Sequence, residues 1–227
     1  MHIPDGFLSP EVAAGTAVVA AGAVGVGLHR AGARLDDRLV PLLGVTGAFV
    51  FAAQMLNFPV AGGTSGHFLG AALATVLLGP WLACLVLAVV LATQSFVFAD
   101  GGVSALGANV FNMGVLGALA AGGLMVAARR LLPRRRGVLL GVAGAGAWLA
   151  VVAGAAGTAV CLAISGTVPL GTVLPAMLAV HVVIGIGEAV VTVAALSALM
   201  ATRPDLIGAW APHEPAARRA IAMPAGA

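Results

Sequence analysis

Long apolar runs alternate with short polar breaks along this chain. The runs fall near residues 10–28, 39–57, 67–79, 81–98, 106–128, 138–164 and 174–200. Their length and sustained apolarity predict seven helices, most of them long enough to cross a bilayer. The third is the exception. Gly79-Pro80 breaks what would otherwise continue into the fourth, leaving a segment below the ~17–25 residues a span requires. It reads either as a tilted or broken helix of the kind that borders ligand sites, or as a short helix packed inside a bundle. Small residues recur at helical spacing, as in Ala13/Ala17/Ala21/Gly25 and Gly141/Ala145, which lets helices approach closely.

Composition places the whole chain in a membrane. Apolar residues make up 61% and charged residues 8%, and the mean hydropathy is +1.09, far from the values of soluble domains. The formal charge of +3 therefore carries no nucleic-acid reading. There is no lysine, and all eleven arginines follow the first, fifth or seventh helix. Threading seven spans from an outside N-terminus puts all three arginine clusters on one side, the cytoplasmic one by the positive-inside rule. Met1-His2, the 57–67 loop, Asp100 and the 164–173 loop then share the exterior side. One transmembrane domain is expected over 1–205, with a disordered cytoplasmic tail over 206–227. Cys84 and Cys161 sit inside apolar runs without a near partner and read as packing residues. Residues 1–9 contain no Lys or Arg, unlike a secretory leader, and the large His2 is expected to protect Met1 from trimming.

The opening Met1-His2-Ile3-Pro4-Asp5-Gly6 carries candidate chemistry. A free α-amino group, the His2 backbone nitrogen and the near imidazole nitrogen of His2 can chelate one divalent ion through fused five- and six-membered rings. A distant imidazole can fill the fourth corner, and His67, in Gly62-Gly63-Thr64-Ser65-Gly66-His67, is the candidate. Four nitrogens in a plane suit nickel-like and copper-like ions. Losing the amide proton requires a strongly polarising late first-row ion, which excludes calcium and magnesium. Pro4 and Asp5-Gly6 shape the terminus, and Ile3, Phe7 and Leu8 would let it plug a bundle from outside. The plainer readings are a frayed terminus for His2 and a helix-capping role for His67. Asn57 and Ser65, on the same loop, either orient the His67 imidazole from behind or cap a helix. His181 and Glu188, seven residues apart on one helical face, read as a gating or ion-relay pair or as members of interhelical hydrogen bonds with Gln54, Gln94 or Asn112.

Several segments together resemble the CbiM/NikM family: Met1 to Pro10, Phe51 to Pro59, Gly62 to His67, Ala99-Asp100-Gly101-Gly102, Gly107-Ala108-Asn109 and His181 to Glu188. The resemblance spans residues 1 to about 205. It implies the substrate-capture (S) subunit of a cobalt or nickel energy-coupling-factor (ECF) transporter: an all-α S-component-like bundle with an extra N-terminal helix and metal held by Met1, His2 and His67. It further implies partner ATPase subunits, a coupling transmembrane T subunit, a small accessory membrane subunit in cobalt members, and a bacterial cell (inner) membrane location. The transported ion would be Co²⁺, with Ni²⁺ as the alternative, and no cofactor is expected. Without lysine the chain has no phosphate-loop Gly-Lys, so it is expected not to be an enzyme and to draw on ATP hydrolysed by partners. The rival class is an intramembrane metalloenzyme using His67, His181 and Glu188, which lacks a His-Glu-x-x-His pair.

Overall fold

The computed structural model describes residues 1–33, 39–60 and 64–207, with the backbone alone for 57–60, 64 and 65. Seven helices appear among them: α1 (Pro10–Gly32), α2 (Leu39–Gln54), α3 (Ala71–Leu78), α4 (Pro80–Phe98), α5 (Leu106–Leu131), α6 (Arg136–Ile164) and α7 (Leu170–Thr202). Five of these, α1 and α4 to α7, are long and apolar enough to cross a membrane. Helix α2 is shorter at 16 residues. Helix α3 has 8 residues and reaches only ~12 Å at 1.5 Å per residue. Seven of those residues are buried, so α3 is a half-helix enclosed by protein between α4, α5 and α6.

The sequence-based picture needs two corrections here. Residues 57–67, expected as a loop in an all-α protein, form an antiparallel hairpin of β1 (Asn57–Val60) and β2 (Thr64–His67), in which Asn57 faces His67 and Val60 faces Thr64. The third helix, expected from residue 67, begins at Ala71. Its earlier start is blocked because His67 closes β2 and Gly70 adopts φ +74°, a left-handed conformation that glycine tolerates and a helix does not contain. The Gly79-Pro80 break is present: Gly79 has φ +85° and α4 opens on Pro80, where a missing N–H costs nothing. Helix α7 is longer than expected and runs through Pro175.

Ser9 starts α1 by accepting the Val12 N–H, with Pro10 in the first turn, a standard cap. Helix α1 then packs on α4 and α5, while α6 and α7 lie along each other. Val18, Val45, Phe96, Val97, Ile164, Val183 and Val190 each expose more than 60% of their surface. Large apolar side chains open to the outside on helices of this length are what a lipid-facing surface presents, and the chain is a multi-pass membrane protein. Most of the tail expected at 206–227 lies outside the described residues, but Ile207 is buried against Leu139 and Leu196.

Helix α5 widens into a π-helix over Val110–Leu116, a distortion that often marks functional sites. Asn112 is fully buried within it. Two glycines of α6 make room: a Cβ at Gly157 would stand 2.5 Å from Asn112 Oδ1, and one at Gly154 3.1 Å from the Asn112 carbonyl oxygen. Gly107 plays the same part at the α1 contact, where a Cβ would stand 2.5 Å from Ala17 Cα. Overpacking of that kind costs about 1–3 kcal/mol. Gly107→Val is therefore expected to lower the thermal midpoint in detergent by several degrees, whereas Gly123→Ala, with nothing within 4 Å, should leave the melting curve in place.

Candidate metal-capture site

The chain start is folded into the bundle. Met1, His2 and Ile3 expose 0%, 5% and 1% of their surfaces, so their backbone groups must find partners inside the protein. Asn109, at the first turn of α5, supplies two: its Oδ1 accepts the Ile3 N–H at 2.8 Å and its Nδ2 donates to the Ile3 carbonyl at 3.1 Å. The Gly102 N–H donates to the same carbonyl at 2.9 Å. Further along, Asp5 Oδ1 accepts from the Ser104 N–H at 2.7 Å and the Ser104 hydroxyl at 2.5 Å, and the Thr167 hydroxyl donates to the Phe7 carbonyl. Residues 99–109 are thus a cradle for the terminus. Glycine is required twice in it. A Cβ at Gly102 would overlap the backbone of Pro4 and Asp5, and one at Gly101, where φ is +93°, would stand 2.8 Å from His2 Nδ1.

This docking brings His2 against His67, with ring centroids 4.7 Å apart and planes 35° from parallel. His2 Nε2 lies 3.7 Å from Asp100 Oδ2. His67 is fully buried. Its Nδ1 is 2.6 Å from the Phe68 carbonyl oxygen, and because a carbonyl only accepts, Nδ1 carries the proton and Nε2 keeps a lone pair. That Nε2 has no hydrogen-bond partner among the described residues, so its lone pair is one that an ion could take.

The strap that carries His67 is fixed from two helices. Glu188 of α7 accepts the Leu69 N–H at 2.8 Å on one carboxyl oxygen and the Gly70 N–H at 2.6 Å on the other. Gln54, the last residue of α2, donates to the Leu69 carbonyl at 2.8 Å. His181, two turns before Glu188, hydrogen-bonds the Met177 carbonyl through Nδ1 at 2.7 Å. Both residues of the His181 and Glu188 pair are buried, each with its own backbone partner. The Met1 side chain lodges over α6, where a Cβ at Gly154 would stand 3.3 Å from its sulfur. The side chains of Asn57 and Ser65 lie outside the described residues; the Asn57 backbone pairs with that of His67.

Ahead of the first spanning helix, burial pushes the Met1 amine down to about 4, against the attraction of Asp100. Burial and the neighbouring amine push His2 down to about 4 as well, so near neutral pH both nitrogens carry lone pairs. Among the described residues no group of three or more His, Cys, Asp or Glu side chains is placed to hold an ion.

Residues 2–206 match the family model described as CbiM, cobalt uptake substrate-specific transmembrane region. The chain belongs to this family. A metal transport protein of Haloquadratum walsbyi is 40% identical over 91% of this chain and 93% of its own length. A fused nickel transport protein NikMN of Rhodobacter capsulatus is 35% identical over 99% of this chain and 66% of its own length. Cobalt transport protein CbiM 1 of Pelobacter propionicus is 38% identical over 57% of this chain and 58% of its own. A crystal structure of a truncated transition metal transporter superposes with a TM-score of 0.81 at 32% identity, covering 88% of this chain and 99% of that one.

Within this CbiM-family chain, sequence reasoning picked out His2 and His67 but passed over the groups that hold them. Gly101, Gly102 and Asn109 entered only as points of family likeness, Asp100 and the 164–173 loop that holds Thr167 were otherwise only placed on the exterior side, and Ser104 did not enter at all. Their signal was polarity or glycine at the mouth of apolar helices, which reads equally as an ordinary loop until its contacts are seen.

The Asp5 contact sets a pH dependence. The Ser104 hydroxyl and backbone hold the Asp5 carboxyl below its ordinary range, so its docking contribution is complete above that range and is lost as pH falls through the lowered value. Hydrogen exchange at residues 3–8 is expected to be slow at about pH 6 and faster at about pH 3, after allowance for the intrinsic rate, with Asp5→Asn fast at both. Glu188→Ala leaves two buried N–H groups without acceptors, at about 1–3 kcal/mol each. That variant should lose thermal stability by this order, and Glu188→Gln, which keeps one acceptor oxygen, by less.

Proposed function

We propose that this chain captures Co²⁺ from outside the cell membrane as the substrate-specific subunit of an ATP-driven ECF transporter. The observation that carries the reading is the burial of the chain start beside His67: Met1 and His2 are buried, the His2 and His67 rings lie 4.7 Å apart, and His67 Nε2 has no hydrogen-bond partner among the described residues. The ligands would be the Met1 amine, the His2 backbone nitrogen, His2 Nδ1 and His67 Nε2. The Ile3 N–H is committed to Asn109, which leaves the His2 nitrogen as the backbone group for the chelate. Asp100, behind His2 Nε2, draws on that ring and raises its basicity, the part a carboxylate plays behind many metal-bound histidines.

In the capture step the ion enters from the outer side and the four nitrogens close around it in a plane as the His2 amide proton leaves. Residues 1–8 then form the lid, held by Asn109, Gly102, Ser104 and Thr167. Inward release would follow an ATP-driven rearrangement of a complex with ATPase subunits, a T subunit and a small accessory membrane subunit. The fused NikMN name of the Rhodobacter capsulatus protein, which this chain covers for 66% of its length, supports such a partner. The arginines after α1, α5 and α7 support an outside N-terminus and a cytoplasmic C-terminus. Ni²⁺ is the alternative substrate, favoured by the fused nickel relatives and by the affinity order of divalent ions. An intramembrane metalloenzyme is disfavoured because Glu188 is engaged by two backbone amides.

The test measures Co²⁺ and Ni²⁺ bound per purified chain, native against a version extended at its start by Gly-Ser. The native chain is expected to bind one ion through nitrogen, and the extended chain to lose most of its binding. His67→Ala should insert normally and lose uptake. Full binding by the extended chain would remove the amine from the ligand set, and unaltered uptake in His67→Ala would move the fourth ligand elsewhere.

A further inference from the structure

The chelate proposed above uses only main-chain atoms of residue 1, so any amino acid with a free amine would serve it equally. The fold is more particular. The Met1 side chain is fully buried, in a recess shaped by two helices. On α6, Gly154 leaves the space: a Cβ there would stand 3.3 Å from the Met1 sulfur and 3.1 Å from the Asn112 carbonyl oxygen. Sulfur and carbonyl oxygen crowd one point beside the same glycine, so the π-helical turn of α5 is the second wall. The Asn112 side chain is engaged further along α6. A Cβ at Gly157 would stand 2.5 Å from its Oδ1, and its Nδ2 lies 3.7 Å from Cys161 Sγ. Glycine is unfavourable inside a helix, and at position 154 it gives the room that the thioether occupies. An unbranched, polarisable side chain suits an irregular recess of this kind.

This seat acts on the amine through covalent geometry. The Met1 side chain and the Met1 amine share one Cα. Asn109 holds the next backbone groups from one side, through the N–H and carbonyl of Ile3, and the recess holds the sulfur from the other. Between two fixed ends, the Cα has little freedom to slide in or out of the bundle. Ligand groups held in place before the ion arrives cost less ordering on binding.

We infer that the Met1 side chain is a depth pin for metal capture, with Gly154 and the Asn112 turn as its positioning residues: the seated thioether sets how far the chain start enters, and so places the amine beside His2 and His67. The site then selects methionine at position 1 as well as a free amine. This rests on the reading of the Met1 amine, His2 and His67 as ligands.

The experiment titrates Ni²⁺ and Co²⁺ into purified full chains whose start is released from a leader by a protease that leaves no residue of its own, so that Met1, Met1→Leu and Met1→Ala all carry a free amine. Affinity is expected to fall from methionine to leucine to alanine, by about 10-fold or more for alanine. Gly154→Leu, which fills the recess, should weaken binding of the Met1 chain by at least as much. The combination of Met1→Ala with Gly154→Leu should bind better than Gly154→Leu alone, because the short start no longer meets the added side chain; a general loss of α6 packing would not reverse in this way. Equal affinity across the three starts, or a double variant weaker than either single one, overturns the pin while leaving the ligand set standing. Full binding by the Gly-Ser-extended chain overturns the ligand set and the pin with it. Should Gly154→Leu fail to insert, the three starts in the native bundle decide by themselves. X-ray absorption of the loaded native chain is expected to show no sulfur bonded to the ion, and a bonded sulfur overturns the pin by making the thioether a ligand.

Discussion

Everything in this structure turns on how a chain terminus can be buried where no water reaches it. A free peptide end carries backbone donors and acceptors that ordinarily stay hydrated, and bringing them into a helix bundle is costly unless each is met. Asn109 meets the Ile3 N–H and C=O with one side-chain amide, and Gly102 adds a second donor to the carbonyl. Remove that match and Met1 and His2 have no reason to leave solvent. The hydrophobic anchors Ile3 and Phe7 alone would bury the segment only at the expense of its polar atoms.

The second half of the site obeys the same rule from the other direction. His67 ends β2, and the residues after it, 68–70, form an irregular strap that leads into α3. Glu188, Gln54 and the His67 ring itself take up the polar groups of residues 68–70. Irregular backbone is tolerated at membrane depth when it is enclosed by protein and its hydrogen bonds are met there. Helix α3 is short because the preceding residues are occupied in building this strap, and it is buried because half-helices need neighbours on every side. The half-helix and the site are one construction.

Chemically, such a pocket is economical with side chains. In the proposed ligand set two imidazoles suffice because the chain itself would contribute nitrogen, and such a set needs no cluster of His, Cys, Asp and Glu, of which none of three or more is found among the described residues. The proposed set of amine, amide and two imidazoles would favour ions that polarise an amide N–H, but it does not by itself prefer cobalt over nickel; the affinity order runs the other way. Discrimination between them belongs to ligand geometry and to supply.

The sequence by itself determined the membrane class, the seven helices, the Gly79-Pro80 break and the two histidines that meet, because length, apolarity and terminal chemistry are local properties. What only the tertiary structure decided was the hairpin over 57–67, the start of α3 at Ala71, and the partners of each buried polar group. Asn109 reads locally as a helix-start residue and becomes the clamp on Ile3 only through a contact 106 positions distant in the chain. Glu188 reads as a costly charge inside a span until two amides 118 and 119 positions away are placed on it. Hydrogen bonding across such separations has no periodic trace in the sequence. The choice among possible partners is made when the packed helices exclude water and leave each polar atom only the neighbours that remain.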